Sequence, residues 1–194
     1  MKPTSKPKVY VFIDGSNVFY SQKHIGWGYD WKKILKYLKN KYNIKKVMYY
    51  TGIKDGDTKM QNFLDKLKKY KFNVYAKALK IIHGDKQTII YKSNCDIEIA
   101  VDIILKQDKY DILILFSGDS DFVYVIKKLQ RLYSKKVYIY STRKTISWEI
   151  KLAADKYTLL EDLRKEIEYK KNLRPKAEYC NTVNILQPHR PKVK

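Results

Sequence analysis

Along this chain, short unbroken apolar runs alternate with longer stretches in which apolar residues recur every third or fourth position. The first pattern predicts buried strands and the second predicts amphipathic helices. Strands are expected over residues 8–13, 47–50, 72–79, 112–116 and 137–140. Helices are expected over 31–38, 59–70 and 122–132, and a helical pattern runs from 146 to about 168. The stretch 96–105 is apolar on most sides and suits a buried helix. Gly84-Asp85 has the chemistry of a tight turn and would fold the 72–79 strand into a hairpin with 87–91.

Strand and helix in alternation require crossover connections and a sheet covered on both faces. The expected fold class is α/β, a three-layer α/β/α sandwich built on a mostly parallel central sheet. At 194 residues the chain fits one domain, drawn over 8–168, with a basic lead at 1–7 and a basic, proline-bearing tail at 169–194 that is expected to be disordered. In sheets of this kind ligands bind beyond the carboxyl ends of the strands, near the point where strand order reverses.

Two strands run directly into acid at that end. Val11-Phe12-Ile13 continues as Asp14-Gly15-Ser16-Asn17, and the 112–116 run continues as Ser117-Gly118-Asp119-Ser120-Asp121. In a parallel sheet both clusters emerge on the same edge. Carboxylates about 4 Å apart repel by roughly 4 kcal/mol per pair at an effective dielectric near 20, so such a cluster needs cations or raised pKa values. Divalent metal with oxygen ligands and a phosphate substrate answers that need. Asp119 is expected to face Asp14 across neighbouring strand ends, while Ser120 or Asp121 caps the helix that follows. Asp96, in the first turn of the 96–105 helix, is the third candidate ligand. Asp102 is the second choice: it lies about 120° around the helix from Asp96 and falls on a Glu98, Asp102, Lys106 stripe where it can pair with Lys106.

Charge narrows the partner. Lys and Arg number 41 against 20 Asp and Glu, a formal net charge of +21, which suits a polyanion. No apolar run approaches transmembrane length and no signal-peptide pattern opens the sequence, so a cytoplasmic protein without a membrane partner is expected. Two distant cysteines, Cys95 and Cys180, and the scattered His24, His83 and His189 offer neither a disulfide framework nor zinc-ligand spacing.

The motifs FIDGSN, NCDIEIAVD and LFSGDSDF, in this order and followed by Ser147 and the 153–157 segment, resemble the NYN-domain proteins of the LabA-like group, relatives of PIN-domain nucleases. The resemblance covers about residues 8–160. It implies a PIN-like α/β fold and an acidic cluster that binds Mg²⁺ or Mn²⁺ to hydrolyse RNA, leaving a 5′-phosphate and a 3′-hydroxyl. Carried over onto this sequence, Asp14 and Asp119 match best, then Asp121 and Asp96, with Ser16, Asn17 and Ser117 as polar supports. Asp102 matches the second acidic position of the helical motif. That motif commonly carries Lys-Gly before its aspartate, where this chain has Asn94-Cys95.

Tyr20, Trp27, Tyr29 and Trp31 follow the first motif and are candidates for stacking on single-stranded RNA, with core packing an equal alternative. A rival to the ribonuclease is an RNA-binding regulatory protein with a weak or vestigial site. A haloacid-dehalogenase-type phosphatase is disfavoured, because Ser16 stands where its second aspartate should be. A homodimer is left open.

Overall fold

The computed structural model describes residues 6–83, 89–92 and 94–170. Six strands form one all-parallel sheet: β1 (Lys8–Asp14), β2 (Asn43–Ile53), β3 (Asn73–Ala78), β6 (Ile112–Phe116), β7 (Lys136–Ser141) and β8 (Lys156–Leu159). Their order is β3-β2-β1-β6-β7-β8, so the chain winds one way from β1 and the other way from β6. Strand order therefore reverses between β1 and β6. Ile13 pairs with Phe116 across that boundary, and Asp14 and Ser117 leave the sheet side by side.

The alternation within β1 shows why two helical layers are needed. Val9, Val11 and Ile13 enter one core, whereas Tyr10 and Phe12 enter the other. The first core is closed by α1 (Gly15–Ile25), α2 (Trp31–Lys41), α3 (Thr58–Lys69) and the short α7 (Arg164–Ile167), through Val18, Ile34, Leu38, Leu64, Leu67 and Ile167. The second is closed by α4 (Asp96–Leu105), α5 (Val123–Tyr133) and α6 (Trp148–Ala153), through Ile99, Ile103, Ile126, Leu129 and Ile150. The three-layer α/β sandwich expected from the sequence is the fold.

Four local expectations change. The stretch 146–168 is not one helix: α6 ends at Ala153, β8 joins the sheet edge, and a 3₁₀ turn at Leu160–Leu163 leads into α7. Its apolar positions serve a strand and two short helices, whose periods overlap into one helical pattern. The 72–79 strand does not fold back as a hairpin arm, because β3 is committed to parallel pairing with β2. A separate strand, β4 (Lys80–His83), pairs antiparallel with β5 (Ile89–Lys92), and the Gly84-Asp85 turn lies outside the described residues. Helix α4 is buried on one side only, with Ile97, Val101 and Leu105 exposed. Finally, α1 was not anticipated between β1 and α2. The tail beyond residue 170 also lies outside the described residues.

Candidate metal centre

The two strand ends are stitched together before any acid meets solvent. Asp14 is buried and caps α1: one carboxylate oxygen accepts the Asn17 N–H at 3.1 Å, and the other accepts the Ser117 hydroxyl at 3.1 Å. Asn17 returns the contact, its side-chain carbonyl accepting the Gly118 N–H at 3.1 Å. Ser117 Oγ accepts the Asp119 N–H at 3.3 Å, and Asp119 accepts the Asp121 N–H at 3.0 Å. Asp119, and not Ser120 or Asp121, is therefore the cap of the 3₁₀ turn Ser120–Phe122 that leads into α5. Ser16 sits half-buried in the first turn of α1, and Tyr20 is half-buried on the same helix, its hydroxyl pushed up by burial.

One carboxylate oxygen from each of Asp96, Asp119 and Asp121 lies within 4.8 Å of the others. Asp96 is brought there by the start of α4, where the side-chain carbonyl of Asn94 accepts the Asp96 N–H at 2.9 Å. An asparagine turn thus organises the backbone at the position where this chain departs from the motif it resembles. Burial, reinforced by the charges of Asp119 and Asp121, raises the Asp96 carboxyl above its ordinary range against the lowering pull of Asn94. Asp14 is buried, near enough to the cluster for the Asp96 and Asp119 charges to act on it. Burial pushes its carboxyl up to about 7, with the Asp96 and Asp119 charges adding to the rise and the Asn17 and Ser117 hydrogen bonds opposing it.

This donor set fits a hard divalent cation. Three carboxylate oxygens within chelating reach match the oxygen preference of Mg²⁺ and Mn²⁺. Like charges so close otherwise have only protonation to relieve them, which is the direction in which Asp14 and Asp96 move. Asp102 stands apart from this group. It accepts the Tyr50 hydroxyl at 2.6 Å and pairs with Lys106, as the stripe spacing predicts.

Two glycines keep the stitching tight. A Cβ at Gly118 would meet the Thr145 carbonyl oxygen at 2.2 Å, and one at Gly15 would meet the Tyr50 carbonyl oxygen at 2.6 Å. Behind Gly118, Thr145 Oγ1 lies 2.9 Å from Ser21 Oγ, 3.0 Å from Ser141 Oγ and 2.7 Å from Thr142 Oγ1. Ser147 caps α6 and its N–H donates to the Gly118 carbonyl at 2.8 Å. Sequence reasoning missed this hydroxyl group, since serines and threonines spread over α1, β7 and the following loop carry no shared spacing. Asn94 was visible as a turn residue two positions before an acid.

The aromatic residues after the first motif are mostly structural. Tyr29 and Trp31 are buried; Trp31 meets Tyr49 edge-on with centroids 5.5 Å apart, and Trp27 meets Tyr29 at 5.3 Å. The core reading holds for Tyr29 and Trp31, which are closed to a nucleic-acid base. Among the described residues, no helix is long and apolar enough to cross a membrane.

Comparison with known proteins places this arrangement. The family model of the NYN domain matches residues 8–161. The low amplitude and bright protein LabA of Synechococcus elongatus is 36% identical over 165 residues, covering 83% of this chain and 88% of that protein. The crystal structure of a Vibrio parahaemolyticus protein of unknown function has the same fold, with a TM-score of 0.72 at 24% identity over 84% of this chain and 98% of its own. The chain belongs to the NYN domain family, in its LabA-like group, and its α/β unit is a PIN-like, nuclease-type domain.

Proposed function

We propose that the protein is a metal-dependent ribonuclease that hydrolyses phosphodiester bonds of single-stranded RNA at the Asp96, Asp119 and Asp121 cluster. The observation that carries this reading is the convergence of those three carboxylates, within 4.8 Å, at the strand-order reversal of a chain with net charge +21. An acidic cluster on a strongly basic protein suits a site where a polyanion is gathered by the surroundings and met by a cation at the centre.

Asp96, Asp119 and Asp121 would hold Mg²⁺ or Mn²⁺, and a bound cation would favour the charged form of the buried Asp14 nearby. When bound, such an ion supplies Lewis-acid neutralisation of phosphate charge and a water acidified toward neutral pH. The chain's own residues set the geometry. Asn17, whose carbonyl is committed to Gly118, offers its amide N–H groups to a phosphate oxygen. Ser117 holds Asp14 and Asp119 in fixed relation by donating to one and accepting from the other.

The test is cleavage of a single-stranded RNA oligonucleotide by purified protein under Mn²⁺ or Mg²⁺ titration, with EDTA as control. Asp119→Asn keeps an acceptor for the Asp121 N–H but removes a charge, so it should abolish cleavage and preserve RNA binding and fold. Undiminished cleavage by that variant would sink the metal mechanism. Wild-type protein that binds RNA without cutting it under any divalent ion would point instead to an RNA-binding regulatory protein.

A further inference from the structure

We infer that the exposed rings of Tyr124 and Trp148 form a stacking platform for unpaired bases of the RNA strand whose phosphate enters the acidic cluster. The inference rests on the ribonucleic-acid reading above and names the substrate feature that the site selects, namely bases free to leave a duplex. Tyr124 is 72% exposed and Trp148 is 68% exposed, an unusual state for rings this large. Folding gives no account of them. Their helices already bury Val125, Ile126, Leu129 and Ile150 inward.

Both rings are tied to the acids by the backbone. Tyr124 lies three residues beyond Asp121, at the start of α5. Trp148 follows Ser147, whose N–H is bonded to the Gly118 carbonyl at 2.8 Å. Helix α6 packs against both α5 and the Ser120–Phe122 turn, so both rings belong to helices packed against the turn that Asp119 caps and Asp121 occupies.

Charge selects the occupant. Lys128 Nζ lies 5.2 Å from the Tyr124 ring centroid, setting a cation for phosphate beside a ring for a base. Helices α5 and α6 carry Lys127, Lys128, Arg131 and Lys151 against the single acid Glu149. Two copies of this face would bring like charges together, whereas a polyanion relieves them. Rings combined with a basic track bind single strands with little sequence preference, because every base has a π-face.

The experiment uses full-length protein carrying Asp119→Asn, in EDTA, so that neither metal nor cleavage enters the readout. Tryptophan fluorescence is titrated with oligouridylate, and polarisation is measured with labelled single-stranded RNA and with a blunt duplex of equal length. Trp31 is buried and Trp27 half-buried, so quenching by oligouridylate reports Trp148. Trp148→Phe should remove most of that quenching while retaining affinity. Trp148→Ala and Tyr124→Ala should each weaken single-strand binding by about fivefold or more, with duplex binding much less affected. Unchanged single-strand binding in both alanine variants overturns the platform. So does an equal loss for strand and duplex, or conversion of a dimer to a monomer with RNA binding intact, which would make this face a contact between copies. Stacking without wild-type cleavage defeats the ribonuclease and leaves the platform; cleavage with unaffected alanine variants defeats the platform alone.

Discussion

The two helical layers treat their aromatic and aliphatic residues in opposite ways. The layer of α1, α2 and α3 draws Trp31 and Tyr29 inward, where Trp31 lies edge-on to Tyr49 and near Phe72. The layer of α4, α5 and α6 buries a sufficient inner stripe and leaves Ile97, Val101, Leu105, Tyr124, Trp148 and Leu152 exposed. On α4 both stripes coexist, with Ile99 and Ile103 facing the sheet while Ile97, Val101 and Leu105 face away. Residue type alone thus says little about which rings serve folding. An exposed ring has surface to offer, and a buried one has none.

The contrast is broken most directly by truncating one tryptophan from each layer. Trp31→Ala should cost about 3–5 kcal/mol of stability in urea unfolding, because it empties a packed core. If it costs no more than a surface change, the buried layer is not the structural one. The seam between the layers holds Asp14, whose folded-state carboxyl at about 7 lies above its ordinary 3.8. The folded protein therefore binds more protons than the unfolded chain between those values, and metal-free stability should fall as pH rises from about 4 to about 7. Asp14→Asn should remove the Asp14 share of that slope, and the gain in stability above neutrality should fall short of the roughly 4 kcal/mol of the shift, because the amide has one acceptor oxygen where Asp14 uses two. Parallel stability–pH curves for the two proteins would contradict the buried acid.

Gly118→Ala strikes the same seam sterically. The methyl group would be driven against the Thr145 carbonyl, and a loss of about 1–3 kcal/mol in thermal or urea unfolding is expected, together with weaker Mn²⁺ binding. The smallest effect belongs to Trp148→Ala, which should change stability by less than about 0.5 kcal/mol in the same unfolding assay. A large loss there would make the exposed ring structural after all.

The framework was legible because β1 and β6 are apolar runs that stop abruptly, and their stopping points carry the acids. Helix α1 was hidden because its sequence, GSNVFYSQKHI, has no apolar stripe; Gly15, Val18 and Ser21 are its buried residues. Strand β8 was hidden because four residues at a sheet edge are too few to display a period of two. At the candidate site, the sequence offered Asp14, Asp96, Asp119 and Asp121, and the structure gathers three of them, Asp96, Asp119 and Asp121, within 4.8 Å. Asp119 spends an oxygen on capping, Asp121 brings a carboxylate to the cluster, and Asp14 is buried as the cap of α1. Those roles depend on how the 3₁₀ turn after Gly118 folds, which no sequence interval records.

Thr145 shows how firmly that turn is seated. A hydroxyl has one proton and two lone pairs, so its three neighbours, Ser21, Ser141 and Thr142, exhaust its bonding capacity: one contact donated and two accepted. Water cannot loosen the group by offering a bond that is still wanted. Valine at this position would keep the shape and remove three hydroxyl contacts at once, whereas serine would keep the bonding and lose only a methyl group. The carbonyl of the same residue closes over Gly118, so a single threonine anchors the loop behind the acids through both its side chain and its backbone.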